Sequence, residues 1–141
     1  MNEVELTNSI RKNVEMGIDG IKTVRDYAKG DKFSTELSRQ MREYQEIHNE
    51  ADKMLSTYGG KPEDVPAITK ISAEAMSKMK RFAQDSDEKI AEDMVRATTT
   101  GLAKLTRQLG EYEGSDKKLI SFTEKVIKTE ETNCEIMKGF L

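Results

Sequence analysis

The chain has no tryptophan, one histidine, one cysteine and two prolines among its 141 residues, and each scarcity removes a class of protein. A lone cysteine, Cys134, can neither close a disulfide nor assemble a thiolate metal site, which fits a reducing compartment. The prolines fall together at Pro62 and Pro66, so nothing interrupts a helix elsewhere in the chain. No stretch approaches the roughly 20 apolar residues needed to cross a bilayer. The first residues, Met1-Asn2-Glu3-Val4-Glu5, are acidic rather than hydrophobic, and no secretory leader is expected from them. Charge of one sign is missing too: 23 Lys and Arg stand against 26 Asp and Glu. A net charge of -3 gives no pull toward nucleic acid or an anionic membrane. A soluble, cytoplasmic protein is the expectation. Glycine-rich phosphate loops, nucleophile elbows and cysteine clusters are absent from the sequence, so neither a catalytic residue nor a cofactor is indicated.

What is present is the composition of long helices, rich in Ala, Leu, Met, Glu, Lys, Arg and Gln. Leu6, Ile10, Val14, Gly17, Ile21, Val24 and Ala28 recur at steps of three and four, the period of one helix face. Asn2 with Glu5 forms a capping-box signature at its start, and Gly30 supplies a stop. A second stripe runs Phe33, Leu37, Met41, Tyr44, His48, Ala51, Leu55 and Tyr58 to Gly59-Gly60. The few residues between the two stripes require an antiparallel hairpin. After the loop carrying both prolines, Ile68, Ile71, Ala75, Met79 and Phe82 mark a shorter connector helix. Its Lys78, Lys80 and Arg81 are followed at once by Asp85, Asp87 and Glu88, which cancel their charge, so they read as a solvated face. A fourth segment shows Met94, Thr98, Gly101, Leu105, Leu109 and Tyr112. The last, capped by Ser115 or Asp116, shows Leu119, Phe122, Val126, Glu130, Asn133, Met137 and Phe140.

These segments predict an all-α, antiparallel four-helix bundle of two helical hairpins joined by a short connector helix, filling residues 1–141 as one domain. A connector that runs most of the bundle height would make the second and third long helices parallel, the ferritin-like topology. An up-down-up-down order, with the connector packed across one end, fits the same segments. The hairpins also echo each other, Gly17 falling on Gly101, Gly30 on Gly114, Glu46 on Glu130 and Asn49 on Asn133 at constant offset. Gly17, Gly20 and Gly101 lie on or near core stripes, where each costs about 1 kcal/mol of helix propensity. Close helix approach is the expected compensation.

Two residues break the apolar stripes: Glu130 in the last helix and His48 in the second. With Gln45, Thr98 and Asn133 they are candidates for a buried polar layer that fixes helix register, in which His48 and Glu130 pair with each other or with Tyr44 and Asn133.

The paired hairpins and crossover resemble the ferritin-like four-helix bundle superfamily over nearly the whole chain, and within it a small, uncharacterised bacterial family with a degenerate metal site. The resemblance implies a Glu on each of two helices and Glu-x-x-His on each of the other two, all facing inward. Residue by residue the pattern thins. The first long helix offers inward Asn13 while Glu15 points away, and the second has Gln45-x-x-His48 with Glu46 toward solvent. Glu92 and Asp93 lie off the stripe on the third, and the last supplies Glu130-x-x-Asn133. His48 and Glu130 alone match as metal candidates, too few for a dinuclear centre. The sequence therefore points to a non-catalytic helical scaffold or interaction protein, acting through a protein partner or a homo-oligomer. The alternative is a ferritin-like protein whose reduced inner site binds a metal ion or small polar ligand.

Overall fold

A computed structural model describes residues 1–63 and 85–141. The expected connector helix, with Lys78, Lys80 and Arg81, lies outside the described residues. Among these residues the elements are α1 (Glu3–Val24) with a 3-10 turn at Arg25–Tyr27, α2 (Asp31–Thr57), α3 (Asp87–Glu111) and α4 (Lys117–Lys138), and no strand.

Each start has a local chemical cause. Asn2 and Glu5 close a reciprocal capping box on α1, the Ser86 side chain accepts from the Lys89 N–H at the head of α3, and Asp116 accepts from the Leu119 N–H at the head of α4. Helix α2 begins at Gly30 without a side-chain cap of its own. Its entry is held instead by Asp87, whose two carboxylate oxygens accept from the Lys29 and Gly30 N–H groups at 2.9 and 2.7 Å. That grip explains why α1 stops earlier than its stripe suggests. Ala28 is already extended, and the last turn before it tightens to 3-10 form.

The helix directions follow from residue pairs along their length. Met1 meets Glu111, Asn13 meets Gly101, and Lys29 meets Asp87, so α3 runs antiparallel to α1. Phe33 meets Phe140 edge-on with ring centroids 5.1 Å apart, Arg39 meets Asn133, Tyr44 meets Glu130 and Glu50 meets Lys125, so α4 runs antiparallel to α2. Consequently α2 and α3 point the same way. The chain leaves α2 at the end where α1 starts, where Asn8 bonds the backbone of Lys61 and Glu63, and it enters α3 at the opposite end. This is the single-crossover order; up-down-up-down is excluded.

The core is the set of stripes read from the sequence: Leu6, Ile10, Val14 and Ile21 of α1 are buried with Phe33, Leu37, Tyr44 and Ala51 of α2 and Leu119, Phe122, Val126 and Met137 of α4. Two departures matter. In α2 the next core position after Tyr44 is taken by Ile47, only 5% exposed, and His48 is displaced to the flank. In α3 only Ile90, Ala91 and Leu105 are buried, while Met94, Thr98, Gly101 and Leu109 are half-buried.

The helix glycines separate into packing and open positions. A Cβ at Gly17 would lie 3.1 to 3.3 Å from three ring atoms of Tyr44, and one at Gly101 would lie 3.0 Å from the Asn13 amide. Gly20 faces nothing within 4 Å. Gly20→Ala should therefore stabilise by roughly 0.5–1 kcal/mol through helix propensity alone. Gly17→Ala gains the same propensity but must displace a buried ring, and we expect no gain or a net loss. Chemical denaturation of the two variants checks this, and equal stabilisation of both would show that Tyr44 does not require the space.

Candidate functional site

The inward polar residues fall into two groups on opposite sides of α2. The first lies between α2 and α4. Tyr44, 3% exposed, rests its ring on Gly17 of α1 and extends its hydroxyl to donate to Glu130 Oε2 at 3.0 Å. One turn along, Asn133 is buried and its amide is used at both ends: Oδ1 accepts from Arg39 Nη2 at 2.8 Å, and Nδ2 donates to Glu43 Oε1 at 2.8 Å. Arg39 also donates to Glu36 through Nε at 2.9 Å and pairs with Glu43 at 3.5 Å, closing a ring of Arg39, Asn133 and Glu43. Gln40, buried as well, donates to Glu36 at 3.0 Å. Over this ring a shallow open groove is lined by Glu43, Lys125, Lys128, Thr129, Thr132 and Asn133.

The electrostatics of the group are uneven. Burial raises the Glu36 carboxyl, but hydrogen bonds from Arg39 and Gln40 and the guanidinium charge outweigh it and hold Glu36 below the usual carboxylate range. Glu130 has no such help. Burial pushes it up to about 7, the Tyr44 hydroxyl pulls it partly back, and the charge of Glu43 adds to the rise. Burial, then the Glu130 carboxylate, drive the Tyr44 phenol well above its ordinary value. Tyr44 is therefore a fixed donor, and Glu130 is the group poised to change charge near neutrality.

The second group lies between α1 and α2. His48 is half-buried, with Nε2 2.8 Å from Glu15 Oε1 and Nδ1 3.3 Å from Asp52 Oδ2. Arg11 pairs with the same two acids, at 3.1 Å to Glu15 and 2.7 Å to Asp52. A carboxylate oxygen can only accept, so the ring nitrogen bonded to Glu15 does so as an N–H donor. Lys12 extends this network by an ion pair to Glu63.

The structure thus distributes the five residues of the expected polar layer. Glu130 and Asn133 are buried on α4, His48 and Thr98 are half-buried, and Gln45 is exposed. His48 and Glu130 share no partner: the histidine turns to α1, the glutamate to Tyr44. Glu15, expected to point away, is instead the histidine's partner. Glu36, Arg39, Gln40 and Glu43 were not singled out, although their three- and four-residue spacing along one helix signals a linked acid and base row. The metal ligand set implied by the ferritin-like resemblance does not fit these side chains. Asn13 is bonded to the Gly101 carbonyl, Asn133 to Arg39 and Glu43, and the two nitrogens of His48 face the carboxylates of Glu15 and Asp52. Among the described residues no three His, Cys, Asp or Glu side chains gather to hold a metal ion.

No family model matches the chain, and no curated protein matches it. A solved structure of similar fold is the crystal structure of a "putative spore coat protein" from Bacillus halodurans C-125, with a TM-score of 0.73 at 14% identity over 99% of this chain and 89% of that one. At that identity the likeness concerns the fold alone. No helix among the described residues is long and apolar enough to cross a membrane.

Because His48 and Glu130 have separate partners, the losses from His48→Leu and Glu130→Leu should add to within about 0.5 kcal/mol in the double variant. His48→Leu and Glu15→Leu should not add, since each removes the other's contact. Denaturant unfolding of both cycles measures the couplings, and a strong His48–Glu130 coupling would restore a shared site.

Proposed function

We propose that the protein is a non-catalytic helical scaffold or interaction module, a single domain over residues 1–141, that works in a bacterial cytoplasm through a protein partner or copies of itself. The observation that carries this reading is the commitment of the inward polar groups to one another. Asn133 uses both ends of its amide on Arg39 and Glu43, and both nitrogens of His48 face carboxylates. General acid, nucleophilic or metal chemistry needs groups that converge on an open point with unused bonding capacity. These side chains converge on their neighbours and set the spacing of the helices.

The fold likeness to a protein named for a spore coat supports the same direction, since a coat is a layer made of protein. A rigid bundle with a charged exterior suits assembly. The second reading is a ferritin-like protein with a reduced inner site around His48 and Glu130. The parallel run of α2 and α3 favours it, and the separation of those two residues onto different partners weighs against it.

Two measurements test the choice. Elemental analysis of the purified protein should find no stoichiometric iron, manganese or zinc, and its unfolding midpoint should not move when these are added. A ligand held only by the folded state at a hundred times its dissociation constant adds about 2.7 kcal/mol, and a shift of that size would favour the inner-site reading. Light scattering across a concentration series should show either self-association or a monomer that requires a different partner.

A further inference from the structure

The α2/α4 seam holds a carboxyl that no other described residue neutralises. Glu130 is 4% exposed and carries one hydrogen bond, from the Tyr44 hydroxyl. Among the described residues no lysine, arginine or histidine pairs with it. The guanidinium on that side of α2, Arg39, is taken by Glu36, Glu43 and Asn133. The titratable groups that act on Glu130 are Tyr44 and Glu43, both from α2, and Glu43 is an acid. From α1, Gly17 contributes only space for the Tyr44 ring, while Arg11 and Glu15 are occupied with His48 and Asp52. Of the charged groups of α3, Lys89 and Arg96 pair along their own helix with Glu92. On α4 itself Lys125 reaches away to Glu50 at 3.9 Å. Beside Glu130, the Arg39, Asn133 and Glu43 ring gives the seam a further cross-link, and the groove with Lys125 and Lys128 adjoins it.

We propose that this seam is a proton-controlled latch: with Glu130 protonated α2 and α4 close on each other, and its ionisation loosens them along Arg39–Tyr44 and Glu130–Asn133. In the neutral form the carboxyl accepts from Tyr44 at no charge cost. In the ionised form it is a buried anion beside a second acid, and the ways to relieve it are entry of water or separation of the helices. Opening uncovers Asn133 and Tyr44, both buried in the closed form, beside the already exposed lysines of the groove. The latch is independent of the scaffold reading, because it requires only that the two helices part, not that a partner be bound.

The direction with pH is fixed by where the carboxyl titrates. It ionises near its model value of 4.5 when unfolded and near 7 when folded, so between those values the unfolded chain holds fewer protons and stability falls as pH rises. The contribution is complete below about 4.5 and lost on passing through about 7. Urea unfolding of the full chain between pH 5 and 8.5 should therefore show the unfolding constant rising on the order of 100-fold, each pKa unit being tenfold. Glu130→Gln keeps the acceptor for Tyr44 and removes the titration, so its curve should be flat over the same range. His48→Gln should retain the wild-type dependence, which separates the latch from the one imidazole. Tyr44→Phe removes the bond that lowers the carboxyl, so the fall should move to higher pH. Amide hydrogen exchange, corrected for its intrinsic pH dependence, should accelerate at residues 39–44 and 130–133 before the rest of the bundle. A wild-type curve without the fall, a Glu130→Gln curve that keeps it, or acceleration spread evenly over all four helices overturns the latch.

Discussion

For its hydroxyl to reach Glu130 on α4, the ring of Tyr44 lies across the middle of the bundle, where it packs tightly over a residue of α1 that has no side chain. Gly17 is that residue, with the positions of its absent Cβ and the ring atoms only 3.1 to 3.3 Å apart. One side chain therefore ties α2 to α1 by contact and to α4 by a hydrogen bond. The register of three helices is set by the same group, and the spacing of the adjoining leucine, valine and phenylalanine layers follows from it. Deleting the glycine's freedom or the tyrosine's hydroxyl acts on a single geometric requirement from two sides.

Polarity inside the bundle is placed by the same logic. Along α2 one flank sends Arg39, Glu43 and Tyr44 to α4, while the other sends His48 and Asp52 to α1. The two flanks differ in balance. The α1 flank matches acids with Arg11 and His48, whereas the α4 flank ends on Glu130, which among the described residues has a donor but no cation. An ion network on a half-exposed flank contributes modestly and tolerates change. A lone buried carboxyl does neither, which is why the proposed response to protons is placed at the α2/α4 contact.

The helices were legible in the sequence because their stripes are long and their ends carry chemical punctuation. The Asn2 and Glu5 capping box and the Asp116 cap lie where the residues announce them. The burial of Glu130 and Asn133 was legible from the same period. His48 was not, because Ile47 beside it competes for the same face and the more apolar residue takes the core. Glu15 was misplaced for a related reason: a helical wheel separates core from solvent but not the flank, where a side chain can reach a neighbouring helix. The order of the helices depends on contacts distant in sequence, such as Asp87 with Gly30 and Phe33 with Phe140, and no local pattern encodes them.

The crossover has a further electrostatic effect. By carrying the chain from one end of the bundle to the other, it puts the parallel helices α2 and α3 on a diagonal and leaves α1 with α2, α1 with α3, α2 with α4 and α3 with α4 as antiparallel neighbours. Each end of the bundle then holds two helix starts and two helix finishes, alternating around the perimeter. The partial charges of the peptide dipoles, about half a unit at each terminus, cancel in pairs at both ends. Among the described helices the peptide dipoles therefore leave little net backbone field at either end, and what charge an end presents comes from its side chains.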